Sequence, residues 1–205
     1  MAYPQPIQRL IDYFAQLPTV GPKTAERYVF YLLKQSPQTL NDLAQALLTV
    51  KQQLTVCKNC QAIAIASPCP ICSNTKRQIN CLCVVADTRD MMAIEEAGIY
   101  SGYYHILNGT LAPSQNWQLE NLTIKQLIQR IENQPITEVV LALNSDVSGE
   151  TTSLYLTKIL KNYKVKISKL AQGLPNGASL EYADPATLEQ AFKHRNIIDL
   201  NNINK

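Results

Sequence analysis

The sequence predicts an α/β protein assembled from several modules, and three stretches carry that expectation. Between residues 81 and 170, short apolar runs alternate with helical patterns, as in βαβ units that build a parallel sheet. Before them stand two Cys-x-x-Cys pairs, Cys57/Cys60 and Cys69/Cys72, separated by eight residues. Ahead of both, Leu17-Pro18-Thr19-Val20-Gly21-Pro22-Lys23-Thr24-Ala25-Glu26-Arg27 reads as helix, tight turn, helix.

Taken in order, Ile7, Leu10, Ile11 and Phe14 fall at helical spacing and mark a first amphipathic helix. Lys23 to Lys34 repeats the pattern through Ala25, Tyr28, Val29, Leu32 and Leu33, and Ser36-Pro37 ends it. Thr39 is the expected cap of a third helix reaching about Leu54, with Leu40, Leu43, Leu47 and Val50 turned inward. Three short helices bury little by themselves, so this module is expected to lean on its neighbour or on another copy of the chain.

In the turn between the first two helices, Gly21 is expected to supply conformational freedom, and Pro22 suits the first turn of a helix. The N-terminus of the second helix would present unpaired N–H groups and partial positive charge, a ready phosphate grip that reads no base. Lys23 and Arg27, four apart, emerge on one face beside it. Gly21-Pro22-Lys23-Thr24 is not a nucleotide P-loop, because Pro22 separates Gly from Lys and position 16 is Gln.

Charge supports a polyanion partner by its placement, not its total. The net charge is +3, yet residues 1–80 carry eight Lys/Arg against three Asp/Glu, and residues 81–205 eleven against thirteen. Chance scatter is the plain alternative; the coincidence of the positive third with the helical turn favours a phosphate-binding surface. Apolar residues at 46% suffice for a core, and no run approaches the ~18 apolar residues of a membrane span. The opening Met-Ala-Tyr-Pro-Gln-Pro has no basic flank or apolar stretch of a secretory signal, so a cytoplasmic protein is expected.

The four cysteines suit tetrahedral zinc, each two-residue spacer letting a pair bind from one turn. Disulfides are the competing use, which a cytoplasmic chain disfavours. No His, Asp or Glu lies between residues 57 and 72, so a closed structural site is expected, contributing on the order of 10 kcal/mol to folding its loop. Lys58, Lys76 and Arg77 would offset the thiolate charge; Cys81 and Cys83 read as strand residues that pack.

Beyond the knuckles, Cys81–Val85, Tyr103–Leu107, Glu138–Leu143 and Lys164–Leu170 read as strands. Helices are expected from about Arg89 to Ala97 behind a Thr88 cap, from Thr123 to Glu132, and from Gly149 to Lys161. A loop through Asn108, Gly109, Pro113 and Asn116 and a frayed tail at Asn196–Lys205 complete the pattern. Ligands of such sheets sit beyond the strands' C-terminal ends, where Asp87, Asp146 and Glu150 could form a weak magnesium site or an acidic partner surface. The preferred reading makes Asp87 and Asp146 turn or capping residues and Glu150 a helix-start residue. His105 and His194 are read as ordinary residues, and Trp117 and the tyrosines as packing residues.

The order of helical turn, cysteine pairs and acid-edged α/β unit, followed by Gly173-Leu174-Pro175-Asn176-Gly177-Ala178-Ser179-Leu180-Glu181-Tyr182-Ala183-Asp184, resembles the RecR family of bacterial recombination mediators. Tyr104-His105-Ile106-Leu107-Asn108-Gly109, with Pro113 after it, adds to the likeness, which runs to about Arg195. The resemblance implies a helix-hairpin-helix over 1–55, a four-cysteine zinc finger over 56–79, a Toprim domain over 80–172 and a C-terminal exchange segment over 173–205. It further implies a ring-shaped homotetramer that encircles single- or double-stranded DNA without sequence preference in the nucleoid. With RecO- and RecF-like partners, it would help load RecA onto strands coated by single-strand-binding protein. Gly21, Lys23 and Arg27 match DNA-contacting positions of the hairpin, and Cys57, Cys60, Cys69 and Cys72 match the ligands of one structural zinc per chain.

The family pattern has Gly where Thr19 stands, Glu where Ala86 stands, and Asn-Pro-Thr-Val-Glu-Gly-Glu where residues 144–150 read Asn-Ser-Asp-Val-Ser-Gly-Glu. Toprim enzymes need that Glu and an Asp-x-Asp, of which Asn144-Ser145-Asp146 supplies half. The expected function is therefore a non-enzymatic DNA clamp and loader. A Toprim-type magnesium nuclease or nucleotidyl transferase is the alternative, and a module whose knuckle binds only other proteins is a third.

Overall fold

The computed structural model describes residues 3–111 and 119–196; Pro113, Asn116, Trp117 and positions 197–205 of the expected tail lie outside them. The chain divides into two compact units, Met1–Leu54 and Thr55–Lys205.

The first unit holds α1 (Gln5–Ala15), α2 (Pro22–Leu32) and α3 (Pro37–Gln53). Ile11 of α1 and Ala25 and Val29 of α2 form its buried centre, flanked by Ile7, Phe14, Ala15 and Val20. Edge-on contacts of Phe14 with Tyr28 and Tyr3 with Phe30 extend it, and the Tyr3 hydroxyl donates to Glu26. Two expectations for α3 fail. Ser36, not Thr39, is the cap, its Oγ accepting the Thr39 N–H at 3.1 Å, because Pro37 fits the first helical position and moves the start forward. Leu40, Leu43, Leu47 and Val50 are exposed, Leu47 at 68%, since nothing within this unit is large enough to cover that face. Tyr28 and Leu33 are likewise exposed.

The second unit opens with β1 (Thr55–Val56) and β2 (Ile63–Ala64), an antiparallel pair, and the short helix α4 (Pro70–Ser73). Four parallel strands follow: β3 (Gln78–Val85), β4 (Gly102–Ile106), β5 (Glu138–Ala142) and β6 (Lys166–Lys169), in spatial order β4-β3-β5-β6. They are joined by α5 (Thr88–Ala97), α6 (Ile124–Asn133) and α7 (Val147–Leu160), and α8 (Pro185–Lys193) closes the described chain. Period-two alternation sorts the strands' side chains to two faces. Leu82, Val84, Val139 and Leu141 meet Leu127, Ile131, Leu156 and Leu160 on one. Cys83, Val85, Ile106 and Ala142 meet Met91 and the cysteine knuckles on the other.

Helix starts also shift from expectation. Asp87, not Thr88, caps α5; its carboxylate accepts the N–H groups of Arg89 and Asp90 while Asp90 accepts the Asp87 N–H, a reciprocal box. Helix α7 begins two residues early, at Val147, because Asp146 reaches the Gly149 N–H at 2.7 Å and closes the turn at once. Exposed Tyr31 and Tyr182 depart from the packing role expected of the tyrosines.

Candidate metal centre and nucleic-acid interface

The turn between α1 and α2 corrects one expectation directly. Gly21 is extended, at φ −80°, and the left-handed residue is Thr19, at φ 67°. Gly21 has a different use: a Cβ there would meet nothing within 4 Å, and as N-cap it offers no side chain to the helix. Pro22 has no N–H, so the first backbone donors of α2 belong to Lys23 and Thr24, with no side chain capping them. Lys23 and Arg27 are exposed one turn apart on the same helix. The result is a bare, positively polarised helix start flanked by two cations, which can hold a phosphate by charge and backbone donors.

In the second unit Cys57, Cys60, Cys69 and Cys72 bring their four Sγ atoms within 4.8 Å of one another. Tetrahedral thiolates around zinc need neighbouring sulfurs about 3.8 Å apart, from Zn–S bonds of about 2.3 Å. The Cys60–Cys69 pair stands at 3.6 Å, far beyond a disulfide bond of about 2.05 Å, and all six cysteines are free. Backbone N–H groups point at the sulfurs, Cys69 N at Cys57 Sγ (3.3 Å) and Cys72 N at Cys69 Sγ (3.5 Å), which favours thiolates. The Cys60 thiol is drawn well below its ordinary value, chiefly by the Cys72 thiol donating to it, and Cys72 is pushed up in return. The cluster could hold a metal ion.

Cys83 stays out of this set. It is buried against the sheet, and burial pushes its thiol up to about 12, as suits a packing residue. Arg77, expected to offset the thiolates, spends its charge elsewhere: it grips Glu95 through two nitrogens (2.9 and 2.7 Å) and donates to the Gly102 and Tyr100 carbonyls. Arg77 holds the Glu95 carboxyl below the usual range. Sequence reasoning missed Arg130 of α6, which is 7% exposed and donates from Nη1 to the carbonyls of Asn59 (3.1 Å) and Tyr104 (2.6 Å). Its only sequence signal is a cation within an apolar helical stripe.

Chain order reverses beside β3, which leads outward to β4 and, after a crossover, inward to β5. The crevice principle points to the C-terminal ends of β3 and β5. There the acids are engaged locally. Asp87 caps α5 and pairs with Arg89, whose guanidinium lowers its pKa; Asp146 caps α7; Glu150 is held low by Lys169 and then by Gln172. Ala86, the residue after β3, has no ligating atom, and among the described residues the cysteines form the only group of three or more His, Cys, Asp or Glu placed to share a metal.

Comparison with known proteins matches three stretches of the chain. Residues 7–51 match the RecR helix-hairpin-helix family, residues 80–171 the Toprim domain and residues 173–196 the RecR C-terminal family. The chain is 43% identical to recombination protein RecR of Moorella thermoacetica, over 97% of this chain and all of that one. It belongs to the RecR family. The same-named proteins of Dehalococcoides mccartyi and Staphylococcus aureus are 39% and 40% identical, over 92% and 95% of this chain and 93% and 98% of theirs. The family is one of recombination proteins, which supports a role for this chain in recombination.

Proposed function

We propose that the chain is a non-enzymatic DNA clamp that mediates recombination, assembling as a ring-shaped tetramer and working with RecO- and RecF-type partners to load RecA. The observation that carries this reading is the uncapped start of α2 beside Lys23 and Arg27, whose charge and backbone donors suit a phosphate, the part of DNA that carries no sequence. Such a grip is weak singly and useful when several copies surround one duplex or strand. Exposed Leu174, Leu180, Tyr182 and Phe192 of the C-terminal segment supply apolar surface suited to a second copy.

Zinc is the metal that four thiolates at these separations fit, held by Cys57, Cys60, Cys69 and Cys72 in a closed site. When bound it contributes folding energy and no catalysis. Because the cysteines share a core with Val85, Tyr104 and Ile106, the knuckle also braces the sheet. The nuclease alternative is disfavoured by the local engagement of Asp87, Asp146 and Glu150 and by alanine at position 86, which cannot transfer a proton.

Retention on closed circular against linearised DNA after a high-salt wash tests the clamp. Selective retention on circles supports a ring; equal loss from both sinks it. Cleavage of labelled DNA in Mg²⁺ or Mn²⁺, abolished by Asp146→Ala, would establish the nuclease instead.

A further inference from the structure

Among the described residues, Arg130 is a buried cation that forms an ion pair with no carboxylate. The described ion pairs involve Arg77, Arg89, Lys166, Lys169 and Lys193, and Arg130 is in none of them. Its guanidinium is instead met by the carbonyls of Asn59 and Tyr104, by Gln134 Oε1 at 2.9 Å and by the Tyr103 ring, 5.7 Å from its carbon. A buried charge so placed is costly unless an opposite charge lies close by. Asn59 sits inside the first cysteine knuckle, between Cys57 and Cys60, and the Cys60 carbonyl takes the Ile106 N–H at 2.8 Å. Arg130 and β4 thus hold that knuckle from behind through two neighbouring carbonyls.

Four thiolates around a divalent ion carry a net charge of about −2. We propose that Arg130 is the counter-cation and anchor of the cysteine centre, holding the Cys57–Cys60 turn in its ligating shape and balancing the charge of the loaded site. It is a positioning residue, acting through the Asn59 carbonyl. The inference rests on the metal reading given above.

The test uses the full-length, metal-loaded protein and an excess of a metallochromic chelator, following release by absorbance. Arg130→Gln, which keeps donors but loses charge, is expected to speed release at least about tenfold. It also shrinks the difference in melting temperature between loaded and chelated protein. Arg130→Lys keeps the charge and a donor for the Asn59 carbonyl but loses the fork, and is expected to release metal more slowly than Arg130→Gln. A purely structural arginine would lower both melting temperatures equally and leave release unchanged in the Gln variant, which overturns the proposal. If Arg130→Gln does not fold, Arg130→Lys decides: release near the wild-type rate supports the role, and tenfold faster release overturns it. Wild-type protein that carries no metal, or that keeps it after Cys57→Ser and Cys60→Ser, overturns the metal reading and this one with it. Wild-type metal held by those cysteines but indifferent to Arg130→Gln overturns this one alone.

Discussion

Thr19 carries the left-handed backbone of the α1–α2 turn at φ 67°, while Gly21, two residues on, is extended at φ −80°. A β-branched residue therefore bears strain that a glycine would relieve.

Thr19→Gly is expected to stabilise the Met1–Leu54 unit by up to ~1 kcal/mol, the relief of strain outweighing the added unfolded-state freedom. Chemical denaturation monitored on that unit checks it. A Cβ added at Gly21, by contrast, meets no atom within 4 Å, which makes Gly21→Ala the complementary variant. It should leave folding intact yet weaken DNA binding by shading the helix start, as a binding titration beside a melting curve would show.

Two glycines of the second unit have no room for a side chain. A Cβ on Gly149 would fall 2.0 Å from the Asn144 carbonyl oxygen, and one on Gly102 would fall 2.6 Å from the Cys81 carbonyl oxygen. Gly149→Ala and Gly102→Ala should each cost about 2–4 kcal/mol by forcing backbone apart. Melting temperatures of the two variants provide the check, and a change within error for either contradicts the packing described.

Acid should destabilise the second unit in a defined window. His105 is fully buried, its Nε2 bonded to Thr123 and its Nδ1 unpaired, and burial lowers its pKa from 6.5 to about 4, helped by the Arg130 charge. Below pH 6.5 the unfolded chain takes up a proton that the folded chain refuses, so stability falls from there to about pH 4 by up to about 3 kcal/mol. Glu95, held low by Arg77, adds a loss at lower pH, as its carboxylate is protonated through its folded pKa. Denaturation at several pH values should show the first slope, and His105→Gln should flatten it.

Chelating the metal should lower the stability of the Thr55–Lys205 unit and leave Met1–Leu54 unaffected, since the cysteines belong to the sheet's own core. Cys81→Ala and Cys83→Ala together should keep one bound metal per chain, and Cys60→Ser should abolish it. Metal content by elemental analysis separates these outcomes.

Much of this was legible in the residues because the signals were local. Short apolar runs marked β3 and β5, and the Cys-x-x-Cys spacing marked the knuckles. What escaped depended on partners distant in sequence. Leu47 and Val50 follow helical spacing, but which face is covered is decided by what lies opposite, and within their unit nothing does. The roles of Arg77 and Arg130 are set by Glu95 and Asn59, 18 and 71 residues away. The caps moved by one to three residues because Ser, Thr and Asp neighbours compete for the same N–H groups.

The central claim is a phosphate grip at the start of α2. Its most direct test is the salt dependence of binding to DNA of two unrelated sequences, for wild type and the Lys23→Ala/Arg27→Ala double variant. Equal affinity for both sequences, a steep fall with salt, and a log–log slope reduced by about two in the variant are expected. An unchanged slope and affinity in the variant, or a strong preference for one sequence that persists at high salt, would contradict it.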